Sequence, residues 1–162
     1  MSPSVVTVYL PVDRERARQL ASGGPGLTAP AYAVTPALRG AHDLTPDQDE
    51  DAGFTALGYA GLAALLRGTG PRLVLAADVD AAQVLLTDAD SPFGLVEVGD
   101  LRWDQVLALF ADEPAAADDL ARAHALAAGR ELVDVADDEQ VLALVDAWDL
   151  LWFAPQELPQ LG

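Results

Sequence analysis

The sequence predicts a single α+β domain spanning residues 1–162, built on a mixed β-sheet with helices packed mainly on one face. Three observations carry that expectation. Strand-like and helix-like segments interleave irregularly. Two strand-like runs, Arg72–Ala77 and Gln83–Thr87, stand too close together for a helical crossover between them. At 162 residues, 51% of them hydrophobic, the chain can bury about 70% of its unfolded surface without a metal or disulfide staple.

Ser4–Leu10 (SVVTVYL) is β-branched and aromatic and reads as the first strand, closed by Pro11. Asp13 then offers an N-cap to a helix over Arg14–Ala21, which the Gly-rich run Ser22–Gly26 stops. Ala31–Val34 is a short strand. Thr35-Pro36 has the chemistry of an N-cap followed by a first helical residue, so a helical turn follows before Gly40.

Thr45-Pro46-Asp47-Gln48 reads as a capping box, with Asp47, Asp49, Glu50 and Asp51 in a first turn whose dipole favours acids. Phe54, Leu57, Gly58, Gly61, Leu62 and Leu65 then recur at helical spacing as a buried face. Glycines there let another backbone approach closely. The helix ends at Gly68 and Gly70-Pro71.

Arg72–Ala77, Gln83–Thr87 and Phe93–Val98 read as strands. Asp100–Ala111 fits either period and is assigned as strand. Pro114 opens an Ala-rich helix to Ala128, with Asp118 and Arg122 paired at i, i+4. A last helix follows the Asp137–Gln140 cap and buries Val141, Leu144, Val145 and Trp148. Leu150–Ala154 closes as a strand. No internal repeat appears.

The chain lacks Cys and Lys and has two histidines. Thiol nucleophiles, disulfides, thiolate metal sites, Schiff bases and phosphate-loop lysines are therefore excluded. Ile and Asn are also missing, a pattern matching high-GC codon usage, so the lack of lysine is partly genomic. Net charge is −17. Residues 1–72 hold seven acids against six arginines, whereas 73–162 hold nineteen acids against Arg102, Arg122 and Arg130. Such a field repels phosphate and anionic membrane surfaces, so no direct nucleic-acid binding and no membrane association are expected unless the N-terminal arginines gather into a patch. No secretory or spanning segment is evident, and a cytoplasmic location is the expectation.

The string Asp47-x-Asp49-x-Asp51-x-Gly53 misses the EF-hand pattern, with Gly at position seven instead of six and Gly58 where a bidentate Glu belongs. Asp78, Asp80, Asp88 and Asp90, at strand ends and turns, could hold Mg²⁺ or Mn²⁺ for hydrolysis. Short Asp-rich turns also arise because Asp bonds its own backbone. His124 reads as a satisfied, partly buried residue, and His42 lies beside Asp43. No serine sits in a nucleophile turn. Trp103, Trp148, Trp152 and Phe153, among acidic neighbours, read as core or interface.

VTVYLPV, YAVTPALR and WDLLWFAPQELP together resemble a family of small actinobacterial proteins of unknown function. The resemblance implies no activity or catalytic residues. The expectation is a non-enzymatic interaction module, with no resident cofactor, whose acidic C-terminal half meets a protein partner or a second copy of itself as a homo-oligomer. The alternative is a divalent-metal hydrolase using the Asp-rich turns.

Overall fold

The computed structural model describes residues 4–68 and 70–161. Seven strands form one sheet: β1 (Val5–Pro11), β2 (Leu27–Ala33), β3 (Leu73–Asp80), β4 (Val84–Thr87), β5 (Leu95–Leu101), β6 (Val106–Ala111) and β7 (Leu151–Phe153). Their order is β4-β5-β2-β1-β3-β6-β7. The α+β class holds, but every pairing is antiparallel, so the expected mixed sheet is corrected. Among the described residues no helix serves as a crossover between neighbouring parallel strands, which is what a mixed sheet needs.

The helices are α1 (Arg14–Ala21), α2 (Pro36–Ala41), α3 (Asp49–Arg67), α4 (Ala117–Ala127), α5 (Leu132–Val135) and α6 (Glu139–Asp146). Local chemistry sets several of their starts. Asp13 accepts the Arg16 amide at 2.7 Å, and Thr35 accepts the Leu38 amide at 3.1 Å. Thr45 and Gln48 do form a reciprocal turn, with the Thr45 amide donating to Gln48 Oε1 at 2.9 Å. It closes ahead of α3, which begins at Asp49. Pro114 opens a 3₁₀ turn before α4, and the acid that meets Arg122 is Asp119, at 3.6 Å, not Asp118.

β3 and β4, which look like a hairpin in the sequence, are not neighbours. Four strand spacings separate them, about 19 Å in a flat sheet. The three-residue link Ala81–Gln83 reaches only about 14 Å between the flanking Cα atoms. The β5–β6 link, Trp103–Gln105, makes an equivalent jump. The sheet must therefore curl, bringing the end of β3 within reach of β4 and the end of β5 within reach of β6. Val8, Leu10, Leu75, Val79, Val98, Leu101 and Leu109 fill the concave side and are almost wholly buried. α1, through Ala17 and Leu20, the C-terminal 3₁₀ segment Pro155–Leu161, through Leu158, and Trp103 from the β5–β6 link add to that side.

The two links also share a sequence pattern. Asp78-Val79-Asp80-Ala81-Ala82-Gln83-Val84-Leu85 matches Asp100-Leu101-Arg102-Trp103-Asp104-Gln105-Val106-Leu107 at Asp, Gln, Val and Leu. Eight residues with four identities are too short to register as a repeat until the strands are placed.

α2 and α3 cover the convex side. α3 lays Ala52, Ala56, Ala60 and Ala64 on Tyr32, Val74 and Leu38, a small-residue stripe that lets the helix sit close to the sheet. Leu62 and Leu65 turn away from the sheet toward Ala123, Ala127, Val135, Val141 and Val145 of α4–α6, a third layer. A helix buried on two sides needs no single apolar face, which is why its periodicity misleads.

Candidate functional site

Phe54, expected in the core, is 64% exposed. Phe54, Leu57, Gly58 and Gly61 form the third face of α3, and that face is the wall of a cleft of about 780 Å³. β6 contributes Phe110, α6 contributes Leu142, Val145 and Asp146, and the loop into β7 contributes Trp148, Asp149 and Leu150. A side chain at Gly58 would meet nothing within 4 Å, so the helix leaves open space there. At Gly61 it would meet Leu150 Cδ1 at 3.3 Å and Arg72 Nη1 at 3.5 Å. The glycines thus serve two purposes: Gly61 seats the β7 loop, and Gly58 widens the cleft.

Arg72 enters the same cleft from below. It is bound through Nε and Nη2 to Asp112, with Nη2 to Oδ1 at 2.7 Å, and both side chains are almost fully buried. Nη2 also donates to the Trp148 carbonyl at 3.0 Å, and Trp148 Nε1 donates to Asp119 at 2.9 Å. A buried guanidinium so engaged is neutralised locally. The carboxylates at the mouth, Asp146 and Asp149, therefore set the sign of the field in the cleft. A shallower depression beyond Phe54, Leu57 and Phe110 adds Asp49, Glu50 and Tyr9.

Trp152 extends this surface. It pairs with Phe110 across β6 and β7 and is 60% exposed at the sheet edge. The aromatic group of the sequence reading is therefore divided: Trp103 and Phe153 pack on the concave core, while Trp148 and Trp152 belong to the cleft and its rim. Tyr59 also lines the cleft. Burial, and then Asp137, push its phenol up, and its OH lies 2.9 Å from His42 Nε2. His124 bonds the Leu65 carbonyl through Nδ1 at 2.9 Å, the satisfied role expected of it.

The Asp-rich turns do not converge. Asp78 accepts the Thr7 hydroxyl at 2.6 Å across β1 and β3. Asp80 ends β3 and is exposed. Asp88 accepts the Asp90 amide at 3.0 Å in the β4–β5 turn, the self-bonded Asp geometry. Among the described residues no three His, Asp or Glu groups come together as a metal site.

A family model, "Family of unknown function (DUF6912)", matches residues 6–161. The chain belongs to DUF6912. Its matched span includes every residue of the cleft and of the two crossing links. No curated protein and no solved structure matches the chain. Among the described residues of this DUF6912 chain, no helix is long and apolar enough to cross a membrane.

Proposed function

We propose that the chain is a protein-interaction module whose cleft between α3, α6 and β7 receives an apolar segment flanked by basic residues on a partner protein. The carrying observation is the aromatic lining at Phe54, Phe110 and Trp148 beneath the open carboxylates Asp146 and Asp149. Exposed Phe54 and Trp152 extend the apolar surface beyond the cleft, a patch of the kind that marks binding sites on otherwise polar surfaces. Aromatic side chains supply large contact area at small entropic cost, and rim charges supply on-rate and selectivity. A second copy of this chain fits less well, because its net charge of −17 repels that rim.

The test is a titration with a synthetic Leu/Arg amphipathic peptide, read by tryptophan fluorescence, beside a Leu/Glu peptide of equal length. The expected result is saturable binding of the basic peptide alone, weakening as salt rises. Gly58→Leu, which fills the cleft from open space, abolishes it, while Asp118→Asn on α4 leaves it intact. Binding unchanged by Gly58→Leu and by Asp146→Asn with Asp149→Asn would sink the proposal.

A further inference from the structure

Nine arginines face twenty-six acids in this chain. Arg39, Arg72, Arg102, Arg122 and Arg130 each lie within ion-pair distance of a carboxylate. Among the described residues the other four, Arg14, Arg16, Arg18 and Arg67, have none. Three of these lie on α1 and the fourth ends α3. The sequence is so acidic that cations without a carboxylate partner stand out, and the fold draws two of them together.

Arg14 and Arg67 line one pocket of about 310 Å³, with Val12, Ala64, Pro71 and Leu73 as its apolar floor and Gly68 and Gly70 at its lip. The pocket is separate from the aromatic cleft, with no lining residue in common. Asp13 also lines it; its carboxylate accepts the Arg16 amide at 2.7 Å and keeps its negative charge, which the two arginines together outweigh. Arg14 additionally donates to the Leu161 carbonyl, a neutral partner. Burial and then Arg18 press Arg14 below the ordinary arginine value, with Asp112 acting in the opposite direction. Both causes disfavour the cation in the free protein, so an anion beside it relieves a cost already present.

Gly68 and Gly70 add a second argument. Gly68 is extended, with φ −170°, and a side chain at either position would meet nothing within 4 Å. Neither crowding nor a left-handed backbone demands a glycine here. Gly68 caps the end of α3, and both glycines leave the pocket lip without a side chain.

We infer that this pocket binds a small phosphate-bearing molecule, with the guanidinium groups of Arg14 and Arg67 on the phosphate and the Val12–Leu73 floor under a small apolar portion. Arginine forks match phosphate oxygens in geometry and charge. The volume lies at the lower end of small-molecule sites, which favours a phosphate monoester over a dinucleotide. The basic pocket is also what reconciles anion binding with a net charge of −17: the field is attractive only locally.

The test is calorimetric titration of the whole chain with inorganic phosphate, phenyl phosphate and benzoate at matched ionic strength. Saturable binding of either phosphate compound, with benzoate weaker, is expected. Arg67→Gln, an exposed change whose folding is checked by circular dichroism, should weaken it by at least about tenfold, the loss of one charge-assisted contact. Arg122→Gln should leave it unchanged. Absence of saturable binding by both phosphates, equal binding of benzoate, or indifference to Arg67→Gln would overturn the inference.

Discussion

Gln83 and Gln105 hydrogen-bond to each other in both directions, Gln105 Nε2 to Gln83 Oε1 at 2.7 Å and Gln83 Nε2 to Gln105 Oε1 at 3.1 Å. Each also accepts the backbone amide that opens its own link, Asp80 N at 2.9 Å and Arg102 N at 3.0 Å. The two amides thus fasten together the links that carry the chain from one side of the curled sheet to the other. Replacing either by Ala should cost about 1–3 kcal/mol, since each loses the bond to the other and the backbone amide it accepts, and Gln83 also loses its donation to the Gly99 and Asp100 carbonyls. The double variant should cost less than the sum by at least about 0.5 kcal/mol, measured by urea unfolding of all four proteins.

The Arg72–Asp112 pair joins the start of β3 to the end of β6 beneath the cleft, with side chains only 3% and 1% exposed. Removing one partner strands a buried charge. Arg72→Met should lower stability by about 3–5 kcal/mol, and Arg72→Met with Asp112→Leu by less than the two single changes together. Chemical denaturation gives the comparison. Because Nη2 also holds the Trp148 carbonyl, Arg72→Met should shift Trp148 emission at denaturant concentrations where the protein is still folded.

Asp138 caps α6 and meets Arg130. The Arg130 side chain first, then the Val141 amide, hold its carboxyl below the ordinary aspartate value of 3.8. A pKa lower in the folded state means that the unfolded chain binds the proton first as pH falls. The associated stability is present above the unfolded value and disappears as pH drops through the folded one. Asp138→Asn keeps a capping oxygen and removes the charge. Its stability should fall less steeply than that of the parent below about pH 4, and parallel acid-unfolding curves would refute the assignment.

Gly94 and Gly40 make a paired test of backbone against space. Gly94 has φ +79°, and a side chain there would stand 2.0 Å from the Ala33 carbonyl oxygen. Gly94→Ala should destabilise by more than about 1 kcal/mol. Gly40, within α2, would meet nothing within 4 Å. Gly40→Ala should stabilise by about 0.5–1 kcal/mol through helix propensity. Thermal unfolding separates the two signs.

Local chemistry was readable without the fold. The Asp13 and Thr35 caps, the strand at the N-terminus and the terminal strand near Leu150–Ala154 all rest on interactions within a few residues or on plain periodicity, whereas the partner that satisfies His124, the Leu65 carbonyl, comes from the tertiary structure. So does the α+β class, because irregular interleaving is a property of order along the chain. The short helix α5 was missed, since four residues between Gly129 and Asp138 carry too little periodicity to stand out.

Tertiary structure alone decided the rest, because it concerns which distant segments meet. Phe54, Leu57 and Gly58 carry a regular helical spacing, yet that spacing says only that they share a face. Alanines took the sheet-facing side of α3, and Leu62 and Leu65 took the helical layer. The remaining face was left open as the cleft wall. The sheet's curl likewise follows from which strands pair, not from the residues of either link. The charge balance shows why arginines without ion pairs are notable. Only the antiparallel pairing of β1 with β3 brings Arg14, just past the end of β1, and Arg67, just before β3, to one pocket, since fifty-two residues lie between them and no local interaction spans that distance.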